Sequence, residues 1–146
     1  MYSFATRFLC WTSLLLMLPV AIASCDTPSG PKEERRIGVI AFLGNPVAIT
    51  MPDTVLVGES FSASVRTYGD GCISQDDTEV ESAGLSIDIT PYDVHSGSRV
   101  CTSILNMFDH TVALTVTQPG TAQILFHGKR LPGDVPITEV REVVVK

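Results

Sequence analysis

Apolar and polar residues alternate along most of the chain after residue 37. The clearest runs are 85–90 and 111–116, in which every second residue is aliphatic, and the runs 61–68 and 122–126 repeat the pattern. Successive side chains of a β-strand point to opposite faces, so this alternation predicts strands with one buried and one exposed face. The stretches 47–51 and 139–145 fit less regularly, and 37–43 is almost entirely apolar.

Turn-forming residues separate these runs at short intervals. They are Gly44-Asn45-Pro46, Pro52-Asp53, Gly69-Asp70-Gly71, Gln118-Pro119-Gly120 and Leu131-Pro132-Gly133-Asp134. Beyond residue 24 no segment shows a sustained helical period, and only 103–108 is compatible with a single helical turn. The pattern predicts one all-β domain, an antiparallel sandwich of about seven to nine strands.

Near the start of the chain, the apolar stretch 14–25 ends in small residues and a cysteine. A membrane-spanning helix needs roughly 20 apolar residues, so a removed signal is the better interpretation. The string Ile22-Ala23-Ser24-Cys25 resembles the bacterial lipobox. The resemblance implies that residues 1–24 are removed and that Cys25 carries a diacylglycerol and an added acyl chain.

Two alternatives remain open for this segment. Ala21-Ile22-Ala23 matches the site of the ordinary signal peptidase, which would cut before Ser24 and release an unlipidated product. The third possibility is an uncut anchor. We expect a lipid anchor in the bacterial cell envelope, on the periplasmic or outer face, and leave the choice between inner and outer membrane open.

Residues 25–36 are predicted to be a lipidated cysteine followed by a flexible tether. The segment is polar, contains two prolines and one glycine, and has no apolar periodicity. The folded domain is therefore predicted to occupy 37–146. Its segments 55–61 and 118–126, with the last strand ending at 143–145, resemble bacterial immunoglobulin-like domains. The resemblance implies an immunoglobulin-like sandwich. The chain's only tryptophan, Trp11, lies in the signal, so the domain lacks the buried tryptophan that packs on the inter-sheet disulfide of antibody domains.

The charge of the chain argues against nucleic acid as a partner. The formal net charge is −6, from 10 basic and 16 acidic residues. Removing 1–24 takes away only Arg7, so nine basic residues face sixteen acidic ones and the charge becomes −7. An acidic surface without a basic patch repels phosphate backbones.

The four cysteines divide by position. Cys10 lies in the signal and Cys25 is the lipid site, which leaves Cys72 and Cys101. Two remaining cysteines in an exported protein predict a disulfide, since neither a C-x-x-C pair nor zinc-type histidine spacing is present. We expect this bridge to tie loops at one end of the sandwich, and its loss to cost about 2–5 kcal/mol of stability.

Residue type suggests two candidate metal sites. The segment 70–81 holds five carboxylates, including Asp76 and Asp77, which is compatible with calcium or with a solvated acidic loop. Met107 and His110 are candidate copper ligands, with His95 and Met51 as additions. The alternative for His110 is a buried, hydrogen-bonded histidine, because it falls on the inward side of its strand. His127 falls on the outward side.

No catalytic motif is present, so we predict that the protein is not an enzyme and needs no cofactor. The expected role is a non-catalytic binding module for an envelope protein or polysaccharide; the alternative is a metal-binding envelope protein. Tyr92 and Arg99 are the candidate recognition residues, with Tyr92 in a turn at 91–93. We expect any partner surface at the disulfide end, formed by 70–75, 92–99 and 101–110.

Overall fold

Ten β-strands make up the regular structure of residues 30–146, the part of the chain that the computed structural model describes. They are β1 (Glu34–Ile37), β2 (Val39–Phe42), β3 (Ile49–Thr50), β4 (Thr54–Val55), β5 (Ser60–Gly69), β6 (Ile73–Ala83), β7 (Ser86–His95), β8 (Asn106–Thr115), β9 (Gly120–Leu131) and β10 (Val135–Val145). The predicted all-β class is confirmed. The proposed signal and Cys25 lie outside the described residues, and within those residues no helix is long and apolar enough to cross a membrane.

The strands form one continuous sheet that curls around its core. Antiparallel pairs join β5 to β8, β6 to β7 and β9 to β10. The curled sheet has two layers, one with β1, β4, β6, β7, β9 and β10 and the other with β2, β3, β5 and β8. The long strand β9 joins them, because its first half pairs with β7 and its last residues pair with β2, which in turn pairs with β5. The β2–β9, β7–β9 and β4–β10 pairings are parallel, so the sheet is mixed and not purely antiparallel.

The core is built from the inward residues of the alternating runs. The fully buried apolar side chains of the central strands are Ile40, Ala63, Val65, Ile87, Ile89, Ala122, Ile124, Phe126 and Val143. They come from both layers, β2 and β5 on one side and β7, β9 and β10 on the other. Every second residue of these strands therefore leaves water, and this burial is the main favourable term in folding.

Four segments differ from the sequence prediction. Strand β1 begins at Glu34, inside the stretch predicted to be tether, and pairs with the end of β7. The acidic segment predicted to be a loop is mostly strand β6, at the edge of the sheet beside β7. Charged side chains are common on edge strands, where they discourage pairing with other chains, so acidity does not exclude a strand.

The other two differences concern β7 and β8. Pro91 and Tyr92, predicted to form a turn, lie within β7, where Pro91 is buried opposite Thr78. The segment 103–108 has no helical turn, because residues 101–105 are irregular and β8 begins at Asn106. Both segments are only a few residues long, and so short a stretch cannot distinguish a turn or a helical turn from a strand by its periodicity.

Candidate functional site

An open cleft of about 720 Å³ lies at the end of the domain that carries the disulfide. Its apolar lining consists of Ile37, Val39, Phe42, Tyr68, Ile73, Ile104, Leu105 and Leu131. Its charged lining comes from Glu34, Arg36, Asp70, Asp93, Lys129 and Asp134. The volume falls within the ~300–1,000 Å³ of ordinary ligand pockets. Of the three segments expected to form a partner surface at this end, 70–75, 92–99 and 101–110, residues 73–75, 92–95 and 106–110 lie in β6, β7 and β8, so this end is built from strand ends and not from loops alone.

The disulfide holds one wall of this cleft in place. Cys72 immediately precedes β6 and Cys101 lies in the connection between β7 and β8; their Cα atoms are 5.2 Å apart and their sulfurs are bonded. Backbone hydrogen bonds support the bridge on both sides, from Gly71 N to the Thr102 carbonyl and from Ser96 N to the Cys72 carbonyl. The predicted pairing is confirmed, and it anchors the irregular connection to the sheet.

Aliphatic side chains of this connection point into water. Val100 is 86 % exposed and Leu105 is 50 % exposed, and Ile104 beside it is also exposed. The rings of Phe42 and Tyr68, which line the same cleft as Ile104 and Leu105, stack with centroids 5.9 Å apart. Ile104 and Leu105 therefore add exposed apolar surface to the cleft, a feature typical of interaction sites.

The charges around the cleft are largely paired with one another. Arg36 contacts Glu34 at 3.0 Å, and Lys129 contacts Asp134 at 2.7 Å. The Nε of Arg36 is nevertheless buried without a hydrogen-bond partner among the described residues. Because a buried donor without an acceptor is costly, this N–H is a group that a ligand oxygen can satisfy.

His95 lies beside the disulfide at the cleft wall. Its Nε2 is 3.8 Å from the sulfur of Cys101, and its Nδ1 accepts a hydrogen bond from the Gly97 backbone N–H at 3.0 Å. Among the described residues, Cys72, His95 and Cys101 are the one group whose potential metal-ligand atoms converge, within 4.8 Å of one another. Thiolates are the ligands that cysteine offers to metals, and here both sulfurs are joined in the bridge.

A buried polar network lies between the two layers, behind the cleft. The carboxylate of Asp93 accepts a hydrogen bond from Thr67 at 3.2 Å and lies 3.1 Å from Nε2 of His110. On the other side of the ring, Nδ1 of His110 is 2.9 Å from the Thr78 hydroxyl. Because a carboxylate only accepts hydrogen bonds, Nε2 of His110 carries the proton that faces Asp93; in the neutral imidazole of this tautomer Nδ1 accepts from the Thr78 hydroxyl.

The inward position predicted for His110 is confirmed, since only 1 % of the residue is exposed. The backbone passes very close to this network at Gly38, where an added Cβ would be 2.5 Å from Cγ2 of Thr67 and 3.0 Å from a carboxylate oxygen of Asp93. Only glycine leaves room for that approach. The network acts as a hydrogen-bonded part of the core.

The predicted copper ligands are not brought together. Met107 and His110 are three residues apart on β8, so they lie on opposite faces, Met107 exposed and His110 buried. Met51 packs against the hydrophobic core, and His95 is held at the disulfide. A soft-metal site built from Met107 and His110 has no support in this arrangement.

The predicted calcium ligands are occupied by other partners. Arg35 of β1 donates to Asp76 through Nε and to Glu79 through a terminal nitrogen, both at 2.9 Å. Asp77 accepts the backbone N–H of Thr78 at 2.7 Å, where a register shift interrupts the β6–β7 pairing. Asp76 is thus already neutralised by a cation, which removes the charge that attracts calcium.

The same arginine covers the predicted recognition residue Tyr92. The Arg35 guanidinium carbon lies 3.6 Å from the centroid of the Tyr92 ring. Burial, followed by the charge of Glu79, raises the pKa of the Tyr92 phenol. Tyr92 is therefore part of a surface cluster on the sheet and does not line the cleft, whereas Arg99 is exposed in the connection that forms the cleft wall.

His127, predicted to point outward, is only partly exposed to solvent. Its Nε2 is 2.7 Å from Asp88 and its Nδ1 is 3.0 Å from the Thr138 hydroxyl. About a third of each side chain of the His127–Asp88 pair is exposed, at 34 % and 37 %. This pair, about one-third exposed, is the surface counterpart of the buried His110–Asp93 pair.

Comparison with known proteins gives no relative. No protein family matches the chain, and neither does any curated protein or any solved structure. The immunoglobulin-like and lipobox resemblances therefore stay predictions.

Proposed function

We propose that this protein is a lipid-anchored bacterial envelope lipoprotein whose domain is a non-catalytic binding module. In this proposal the partner is a protein that inserts an apolar side chain into the cleft at the disulfide end. The observation that carries the proposal is that cleft of about 720 Å³, with aliphatic side chains left exposed at its edge.

The chemistry of the cleft favours a protein over a polysaccharide. The paired charges at its rim cancel locally, and the side chains exposed beside them, Ile104 and Leu105, are aliphatic. A sugar brings hydroxyls that need hydrogen-bonding partners, and burying them against aliphatic groups is costly. An apolar side chain gives up no hydrogen bonds when it enters the cleft, and its removal from water is favourable, as at the centre of ordinary protein interfaces.

The position of the N-terminal segment suggests that the cleft lies near the membrane. Glu34 begins β1, pairs with His95 and lines the cleft, so the chain enters the domain at this same end. Residues 26–33 would span about 26 Å when extended. An anchor on Cys25 would therefore hold the cleft close to the membrane surface, within reach of membrane-associated proteins.

Lipidation at Cys25 is tested by mass spectrometry of the protein purified from bacterial membranes. We expect a mature N-terminus at Cys25 with a mass increase from a diacylglycerol and an added acyl chain, because those chains together give firm anchoring. Cys25→Ser is expected to leave the precursor uncut and unlipidated. A mature protein that begins with unmodified Ser24 would contradict the proposal.

The cleft is tested by site-specific photo-crosslinking in cells that express the full chain. A photoreactive phenylalanine analogue replaces Leu105 in the cleft or, as a matched control, Val140 on β10, which is similarly exposed. We expect a discrete protein adduct from position 105 only, and its loss when Ile104→Asp is added, since a charge in an apolar contact is costly to bury. Equal adducts from both positions, or adducts at 105 with lipid alone, would contradict a protein partner in the cleft.

A further inference from the structure

We propose that Cys72 and Cys101 form a thiol–disulfide exchange site. The sulfur of Cys101 reacts with a cysteine of another molecule, and the imidazole of His95 stabilises the negative charge of the Cys101 thiolate. This inference goes beyond the proposed binding role and does not depend on it. It rests on three features of the bridge: unequal access to the two sulfurs, the imidazole beside one of them, and the open cleft in front.

The two cysteines are unequally accessible. Cys72 is 8 % exposed and does not line the cleft, whereas Cys101 is half-buried and lines it. Thiol–disulfide exchange needs the incoming sulfur to approach one sulfur of the bridge, so access selects which cysteine reacts. Here that cysteine is Cys101.

His95 is oriented to stabilise negative charge on Cys101. The Gly97 backbone N–H donates to Nδ1 of the ring, so the proton of the neutral imidazole is on Nε2. That Nε2 faces the Cys101 sulfur at 3.8 Å. In the reduced protein an N–H at this place favours the thiolate of Cys101, and the thiolate is the form that attacks disulfides.

Cys72 lacks a comparable partner. Its sulfur is 3.6 Å from the Val100 carbonyl oxygen, which in the reduced protein can accept the thiol proton. Cys101 is also 3.8 Å from a carbonyl, that of Ser98, but it alone has the imidazole. The pair therefore divides into an accessible thiolate and a buried thiol that resolves the mixed disulfide.

The exchange balances as a two-electron transfer. The Cys101 thiolate attacks one sulfur of a partner disulfide, forms a mixed disulfide and releases the partner's other sulfur as a thiolate, which takes up a proton. Cys72 then loses its proton, attacks the Cys101 sulfur and expels the partner's second thiolate. The partner disulfide becomes a dithiol and the Cys72–Cys101 bridge is restored; a dithiol reductant running the same steps backwards regenerates the reduced protein.

The same three side chains could instead hold a metal once the bridge is reduced, but the hydrogen bonding favours exchange. A metal would bind Nε2, and this is the nitrogen that carries the proton while Gly97 donates to Nδ1. Metal-bound histidines normally donate their other ring N–H to an acceptor, and here that position faces a donor. Metal binding is therefore an alternative outcome of the test.

The test compares two full-length variants that both lack the bridge, Cys72→Ser and Cys101→Ser. Cys25 is not substituted in either variant. The reaction of the remaining thiol with an aromatic disulfide reagent is followed from pH 5 to 9. We expect Cys101 in the first variant to react at least ~10-fold faster at pH 7 than Cys72 in the second, because it is more exposed and more ionised. We also expect its reactivity to persist to lower pH.

Adding His95→Gln to Cys72→Ser separates the imidazole from simple access. We expect the rate at pH 7 to fall about 10-fold and the pH profile to shift to higher pH by about one unit, because the Cys101 thiol then ionises less readily. His127→Gln in the same background is the matched control and is expected to leave both unchanged, since His127 contacts Asp88 on the sheet.

Three results would overturn the proposal. The first is equal reactivity of the two thiols, and the second is a rate and pH profile that do not respond to His95→Gln. The third is reduced wild-type protein that unfolds, because an exchange site must keep its fold in both redox states. Stoichiometric zinc binding by the reduced protein that needs all three residues, without rapid exchange, would assign the site to metal binding and overturn it as well.

Discussion

Asp93→Ala is expected to lower the free energy of unfolding by about 3–5 kcal/mol. The substitution removes the acceptor shared by His110 and Thr67, which are both buried. Each buried donor left without a partner costs about 1–3 kcal/mol, and breaking a buried pair from one side costs about 3–5 kcal/mol. Urea unfolding followed by circular dichroism measures the loss as a lower midpoint at unchanged slope.

Two further variants test separately whether the acceptor oxygen of Asp93 and the burial of its carboxylate account for this loss. Asp93→Asn keeps one acceptor oxygen and should cost clearly less than the alanine variant. Asp88→Ala breaks the other aspartate–histidine pair, whose side chains are about one-third exposed instead of 0 % and 3 %, and should cost less than about 1 kcal/mol. Similar losses from Asp93→Ala and Asp88→Ala would show that burial of the network contributes nothing.

Phe126→Ala is expected to cost about 3–5 kcal/mol, the usual range for truncating a core aromatic residue. Phe126 is fully buried in β9, the strand that pairs with β7, β2 and β10, so the cavity would open where the two layers join. The same unfolding measurement gives the loss, and the circular dichroism spectrum reports whether the sheet persists.

Phe42→Ala is the matched control for the aromatic ring. Phe42 is half-buried at the cleft and stacks on Tyr68, so its removal should cost about 0.5–1.5 kcal/mol from stacking together with a small loss of burial. We expect this variant to keep its fold and to weaken photo-crosslinking at position 105. A loss of stability equal to that of Phe126→Ala would contradict the assignment of Phe42 to the cleft.

The alternation of apolar residues was sufficient to predict the inward faces of the central strands. Ile87 and Ile89, the clearest example, are buried, and His110 is buried because it shares the side of Leu114. A strand has a fixed period of two, so local sequence determines which residues share a face. Elimination among four cysteines was likewise sufficient to predict the bond between Cys72 and Cys101.

Local sequence failed where a residue's environment is supplied by distant parts of the chain. The acidic segment resembled a solvated loop or a calcium site because its cation, Arg35, lies 41 residues before Asp76. Tyr92 resembled an exposed anchor for the same reason, since Arg35 covers its ring. The acidic residues belong to a strand because β6 pairs with β7, and Tyr92 belongs to one because β7 pairs with β1; such pairing is a property of the sheet.

The sequence by itself determined that this is a β-domain with a defined set of inward residues and one bridge, because those features follow from local periodicity and from counting cysteines. Only the tertiary structure decided what surrounds the bridge. The parallel pairings of β9 with β7 and β2 bring β1, β5 and the 96–105 connection to one end of the domain. The cleft, and His95 beside Cys101, exist because the curled sheet brings together residues that are far apart along the chain.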